Sequence, residues 1–165
     1  MDDRPTPTAE MRNAWLKLPD EELLRQCRVE TMRGTGPGGQ KRNKTESAVR
    51  LIHRPSGVMS RHDETRSQHM NKRRALDGLR LALALQLRFP RVEGAPLANG
   101  RRPGPLWVAC VLDLLEGVNY GVADAAAASG MTTSRLCREL AKVPLAWEKV
   151  NAERAARGFP KLKCS

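Results

Sequence analysis

The sequence predicts an α+β fold: a small, mostly antiparallel sheet with a long packed helix, followed by an α-helical C-terminal extension. Three observations predict it. Short runs of alternating or apolar character cluster between residues 28 and 62, two of them joined by a four-residue turn. A stretch of strong helix formers covers residues 68–88. Beyond residue 105 the composition turns to Ala and Leu, punctuated by Gly117, Gly130, Pro144 and Gly158.

Taken in order, residues 1–17 read as a flexible lead containing Pro5 and Pro7. Residues 18–25 read as a short helix with Asp20, Glu21 and Glu22 in its first turn and Arg25 in its last, the arrangement a helix dipole favours. Residues 28–32 alternate as a strand does. Gly34-Thr35-Gly36-Pro37-Gly38-Gly39 follows, a composition that fits neither helix nor strand interior. One helical turn fits at 43–47, with Asn43 capping toward Glu46. Residues 48–53 form a second strand and 58–62 a third, joined by the turn Arg54-Pro55-Ser56-Gly57.

Thr65-Arg66-Ser67-Gln68 reads as a capping box, so a long helix is expected to about residue 88. Its second half alternates Leu with other residues, as a strand would. The stripe Leu76, Leu79, Leu83 and Leu87 and the lack of β-branched residues favour helix. Pro90 ends it. The domain organisation that results is a sheet-and-helix domain over 18–90, a Pro/Gly linker over 91–105, a helical extension over 106–157 and a short tail over 158–165. Four helices are expected in the extension, near 106–117, 121–129, 133–142 and 145–157. Residues 122–141 partly match a helix-turn-helix, but Glu139 stands where that motif wants an apolar residue. Trp107 and Trp147 read as core.

Charge narrows the function. The chain has 165 residues, a net charge of +11 and a pI near 10.3. Residues 33–91 carry 14 basic and 4 acidic side chains, and hold nearly all of the excess. That concentration is the footprint of a polyanion-binding surface. No apolar run approaches the roughly 18 residues of a membrane span. The acidic start, Met1-Asp2-Asp3-Arg4, has the character of neither a secretory nor a mitochondrial leader, so a cytoplasmic location is expected. Cys27, Cys110, Cys137 and Cys164 form no CxxC pair and argue against a zinc or disulfide framework.

The Gly-rich segment matches GxGxxG, yet a dinucleotide fingerprint needs a full helix opening at the loop, and only one turn fits before residue 48. Pro37 also removes a backbone donor. A Walker loop needs Lys directly after the last Gly, where Gln40 stands. No nucleotide, metal or other cofactor is expected.

The whole context supports a third reading. Gly-Thr-Gly-Pro-Gly-Gly-Gln40 with Asn43 and Ser47-Ala48-Val49, then Pro55-Ser56-Gly57, then Thr65-Arg66-Ser67-Gln68-His69-Met70-Asn71-Lys72, resembles the GGQ domain of class I peptide-chain release factors and their ribosome-rescue relatives. The resemblance runs from about residue 24 to 88. Gly34 replaces the family's usual Ser, Thr or Ala. Lys41 and Arg42 replace a polar–aliphatic pair, and Arg42 either costs packing or adds a phosphate contact.

The resemblance implies hydrolysis of the peptidyl-tRNA ester in the ribosomal peptidyl-transferase centre, with Gly38, Gly39 and Gln40 as the catalytic residues. The implied partners are the ribosome, through large-subunit rRNA, and peptidyl-tRNA, with a methyltransferase acting on Gln40 as a further one. Around the loop there is no Ser/His/Asp, Cys/His or paired-carboxylate set, so the nucleophile is expected to be water. Gly38 and Gly39 permit a close main-chain approach, and the Gln40 backbone N–H is the expected donor to the developing negative charge.

No segment resembles a codon-reading domain, which leads to the expectation of codon-independent release on stalled ribosomes. The alternative is a non-hydrolytic factor that binds the large subunit through the same basic domain. No aromatic residue lies between Trp15 and Phe89. RNA recognition is therefore expected through phosphates, by Lys41, Arg42, Lys44, Arg66, Lys72, Arg73 and Arg74, rather than by base stacking.

Overall fold

The computed structural model describes residues 6–33, 47–92 and 103–163. The chain divides into two compact units between Gln86 and Leu87. No helix among the described residues is long and apolar enough to cross a membrane.

The first unit is α+β. Its elements are α1 (Ala9–Lys17), α2 (Asp20–Arg25), β1 (Cys27–Met32), β2 (Ala48–His53), β3 (Met59–His62) and α3 (Gln68–Gln86). The strands form one antiparallel sheet in the order β1-β2-β3. The central strand β2 is the most buried, with Ala48, Val49, Leu51 and His53 enclosed. α3 packs across β2 and β3 and presents Ala75, Leu76, Leu79, Leu83 and Ala84 to the core. A Cβ on Gly78 would lie 2.6 Å from Ser60 Oγ, so glycine lets α3 lie close against β3.

The β2–β3 hairpin closes through Gly57 N–H to His53 O at 2.7 Å, with Gly57 at φ 72°. That left-handed angle is one an L-residue adopts only at a cost. Ser56 Oγ sits 2.7 Å from His53 Nδ1 and Gln26 Oε1 3.0 Å from His53 Nε2. The Trp15 ring meets the imidazole in a T-shaped contact at a centroid distance of 4.6 Å. Beside it the Cys27 thiol donates to Leu23 O at 3.2 Å, and burial pushes its pKa up to about 11.

The flexible lead expected over residues 1–17 is corrected over 9–17, which form α1; residues 1–5 lie outside the described residues. Thr8 Oγ1 caps α1 by accepting from Met11 N–H, and Arg12, Trp15 and Leu16 are buried on one side of it. α1 packs on α3. The capping box also shifts. Ser67, not Thr65, precedes α3, and its hydroxyl accepts from Met70 N–H at 3.2 Å. The helical turn expected at 43–47 falls almost wholly outside the described residues.

The second unit is helical: α4 (Pro105–Gly117), α5 (Val122–Ala128), α6 (Thr133–Ala141) and α7 (Pro144–Ala156). The long helix, expected to about residue 88, ends at Gln86, and residues 87–90, expected in the first domain, belong to this unit. Asp113, buried on α4, accepts from Arg88 Nη1 at 3.1 Å and from Phe89 N–H at 3.0 Å. Asn119 and Tyr120 both have positive φ, 50° and 60°. Tyr120 is held there by its N–H on Leu115 O and by Arg154 Nη1 on its own carbonyl at 2.7 Å.

α5 and α6 flank a turn at Gly130, φ 66°, and Thr132 caps α6. Glu139, the residue out of keeping with a helix-turn-helix, is buried, and both its oxygens lie 2.8 Å from Lys142 Nζ. Trp107 is buried as expected. Trp147 is not: it is half-buried and lines a cleft of about 420 Å³ with Asn151, Lys161 and Leu162.

Two outcomes follow from these buried polar groups. Burial lowers the His53 pKa from the ordinary 6.5 to about 4. The unfolded chain therefore takes up this proton first as the pH falls. The stabilisation is complete above about pH 6.5 and is lost progressively towards pH 4, by up to about 3 kcal/mol. Urea titrations between pH 7 and 4 measure the slope, and His53→Gln flattens it. In the second unit, Asp113→Ala removes the carboxylate from the largely enclosed Arg88 guanidinium, which keeps its bond to Ala109 O, and destabilises by about 3 kcal/mol. Thermal melting that leaves the second unit unchanged in this variant contradicts the assignment.

Candidate functional site

β1 and β2 pair from Cys27↔His53 to Met32↔Ala48. The segment carrying Gly38, Gly39, Gln40, Lys41, Arg42 and Lys44 therefore connects two neighbouring strand ends. These six residues lie outside the described residues. What is described is the platform on either side. On β1, Glu30 pairs with Arg28 and lies 3.4 Å from Arg50 of β2. Arg50 also reaches Met32 Sδ at 3.7 Å. These charges brace the strand pair where the segment leaves it.

The second part of the platform is the approach to α3. Thr65 Oγ1 accepts from Ser67 N–H at 3.2 Å, which folds the chain into the helix start. Asn71, one turn into α3 and fully buried, reaches back to Thr65 and across to Ser47.

The four cations expected on the first turns of the long helix separate into three situations. Arg66 is exposed but precedes α3, so the seven-residue spacing to Arg73 is not a helical register. Lys72 and Arg73 line one cleft of about 340 Å³, together with Asp20, Glu21 and Leu24 of α2 and His69 and Leu76 of α3. Arg74 is exposed and bonds Glu64 at 3.0 Å. That exposed pair contributes little to stability and is readily exchanged for a phosphate.

The acidic side of this cleft was not anticipated as part of a site. Its signal in the sequence, the acids of the first turn of α2, was read only as a helix start. Nor was Asn71 singled out, although it lies within the motif that carries the resemblance. Among the described residues, no three His, Cys, Asp or Glu side chains come together as a metal would require. Chemically, the described platform offers a set of exposed and half-exposed cations, suited to phosphates and without a nucleophile–base pair.

Comparison with known proteins identifies the domain. Residues 17–93 match the RF-1 domain family. Peptide chain release factor 1 of Verminephrobacter eiseniae (strain EF01-2) is 46% identical over 76 residues, which are 46% of this chain and 21% of the relative. The mitochondrial peptide chain release factor 1 of Kluyveromyces lactis is 47% identical over 68 residues, 41% of this chain and 17% of the relative. Peptide chain release factor 2 of Paramagnetospirillum magneticum (strain ATCC 700264 / AMB-1) is 50% identical over 58 residues, 35% of this chain and 16% of the relative. The family match and these relatives support a class I release-factor GGQ-domain relationship for residues 17–93. The chain spans about a fifth of the length of the curated relatives it matches.

Arg66 and Arg73 are both exposed. On the expectation that they meet phosphate, replacing both with Ala lowers affinity for a structured RNA, and the slope of log K against log salt becomes shallower by about 1–2. Arg74→Ala changes it less, because Glu64 already offsets that charge. Salt titrations of binding measure all three; an unchanged slope in the double variant removes these residues from the interface.

Proposed function

We propose that the protein hydrolyses the ester of peptidyl-tRNA in the peptidyl-transferase centre of the ribosome, acting in the cytoplasm and without reading a codon. The observation that carries this reading is the Gly38-Gly39-Gln40 triplet, which lies between β1 and β2 of a domain related to release factors 1 and 2. Water is the nucleophile, and rRNA supplies most of its positioning. The chain contributes a main chain narrow enough to enter an RNA-walled site, because Gly38 and Gly39 lack a Cβ. The Gln40 backbone N–H donates to the developing oxyanion or to the leaving 3′ oxygen, a contribution of roughly 10²–10³ in rate. Lys41, Arg42 and Lys44, with Arg66, Lys72, Arg73 and Arg74, hold phosphates of the large-subunit rRNA. Gln40 is the site a methyltransferase would modify.

The mechanism ranks substitutions. Gln40→Ala keeps the backbone N–H and retains part of the activity. Gly39→Ala adds a Cβ and displaces the donor, and about 1 Å of misplacement costs around 10² in rate. Single-turnover peptide release from stalled ribosomes is expected to fall further for Gly39→Ala than for Gln40→Ala. The reverse order rejects the backbone-donor mechanism. Equal release from ribosomes stalled on sense and stop codons supports codon independence. Binding without any release selects the non-hydrolytic alternative.

A further inference from the structure

We infer that Asn71 is a positioning residue for the Gly-Gly-Gln segment: its buried carboxamide holds the main chain at Ser47, where that segment returns to the sheet. The inference rests on the proposed release activity for its consequence, but its geometry lies wholly within described residues.

Asn71 is 0% exposed, in the second turn of α3. Its Nδ2 donates to Ser47 O and to Thr65 O, both at 2.7 Å. Its Oδ1 accepts from Thr65 N–H at 3.0 Å and from Thr65 Oγ1 at 2.9 Å. A carboxamide has two N–H donors and one oxygen with two lone pairs, so every bond it can make is made. The pattern also fixes which way the amide points, since a flipped amide would turn its oxygen onto two carbonyls. No other side chain of this size satisfies the same four groups. Aspartate lacks the donors, and leucine or alanine would take both donors from the Ser47 and Thr65 carbonyls, the first of them buried.

Two consequences follow from the position. Ser47 is itself buried, and the next residue, Ala48, makes the final rung of the β1–β2 ladder opposite Met32. The chain is thus held at two successive residues by two different elements, at Ala48 by β1 and at Ser47 by α3. Gln40 lies seven residues earlier in the sequence. The same carboxamide also grips Thr65, the neighbour of Arg66, and it stands beside Lys72 in the sequence. One side chain therefore ties the cationic start of α3 to the exit of the catalytic segment. Phosphate contacts made by the former are thereby referred to the position of the latter. A fully satisfied buried polar cluster suits that task, because it specifies geometry more narrowly than an apolar contact does.

The control variant is Thr65→Val. It removes the hydroxyl bonds to Asn71 and Ser67 but leaves the hold on Ser47. Asn71→Ala removes that hold, and Asn71→Asp keeps the shape while turning an oxygen onto the two carbonyls. Hydrogen–deuterium exchange is read on the free full-length protein over peptides spanning 41–50. The expected result is uptake at least about fivefold faster in both Asn71 variants and near wild type in Thr65→Val. In saturating single-turnover release, the rate constant is expected to fall about 30–100-fold for the Asn71 variants, as for a misplaced catalytic group. The half-saturating ribosome concentration stays within about twofold, and Thr65→Val keeps its rate even where its melting temperature drops.

The inference is overturned if exchange over 41–50 is unchanged in the Asn71 variants. It is equally overturned if Thr65→Val matches them in exchange and rate, which makes the cluster merely structural. A wild-type protein that releases no peptide rejects the proposed function instead. The exchange comparison still decides whether Asn71 holds Ser47.

Discussion

The packing of α3 across β2 and β3 is the constraint on which the rest of the first unit depends. A three-stranded sheet has one face to bury, and β2 alone contributes four enclosed side chains. The helix covers that face with a stripe of Ala and Leu, and Gly78 allows contact with β3 at Ser60. Once α3 is seated, its first turns lie beside the chain entering β2, and Asn71 meets Ser47. The placement of the cationic helix start relative to the end of the β1–β2 connection is therefore a by-product of core packing. Apolar burial provides the stability, at roughly 25 cal/mol per Å², and polar groups at its margin provide the register.

Those marginal polar groups share a logic. His53, Asn71 and Asp113 are each enclosed, each on a regular element, and each bonded to residues outside that element. His53 ties β2 to the end of α2 through Gln26. Asn71 ties α3 to the entry of β2, and Asp113 ties α4 to the segment at Arg88 and Phe89. Each stitches a junction that apolar contacts alone would leave free to slide. The cost is sensitivity: a buried imidazole resists protonation, and removing a buried carboxylate takes the counter-charge from its arginine.

Much of the first unit was legible because a strand's period is two and a helix's is near four. Residues 48–53 emerge as β2 with the expected bounds, and the Pro-Ser-Gly turn joins β2 to β3. What was missed has local causes. The prolines and charges before Ala9 hid the Thr8 cap and the buried set Arg12, Trp15 and Leu16 of α1. Thr65 reads as the cap from its spacing to Gln68, and Ser67 does not. The structure divides the work: Ser67 caps the helix, and Thr65 serves the turn and Asn71. An asparagine near a helix start normally reads as a solvated surface residue, and only the tertiary contact with Ser47 shows otherwise. The boundary near residue 90 was read from Pro90, whereas Arg88 and Phe89 are drawn to Asp113 by contacts no local pattern announces. Of the candidate site, the described cations are exposed or half-exposed, and their grouping, Lys72 with Arg73 and Arg74 with Glu64, follows from side-chain direction rather than from spacing.

The cleft between α2 and α3 adds a directional element to the proposed RNA contact. Lys72 and Arg73 line it from α3, and Asp20 and Glu21 from α2. Asp20 is bonded to Arg80 at 2.7 Å, and Arg80 also donates to Leu18 O at 2.7 Å, so the acidic end of α2 is fastened to α3. A phosphate approaching Lys72 and Arg73 from the α2 side meets the carboxylates of Asp20 and Glu21. Like charge within a few ångströms is repulsive even where salt screens longer distances. The acids thus narrow the orientations in which a polyanion can lie along α3. A purely cationic surface would bind RNA at least as tightly but in many poses. Opposing charge set on a helix pair narrows the poses open to a polyanion.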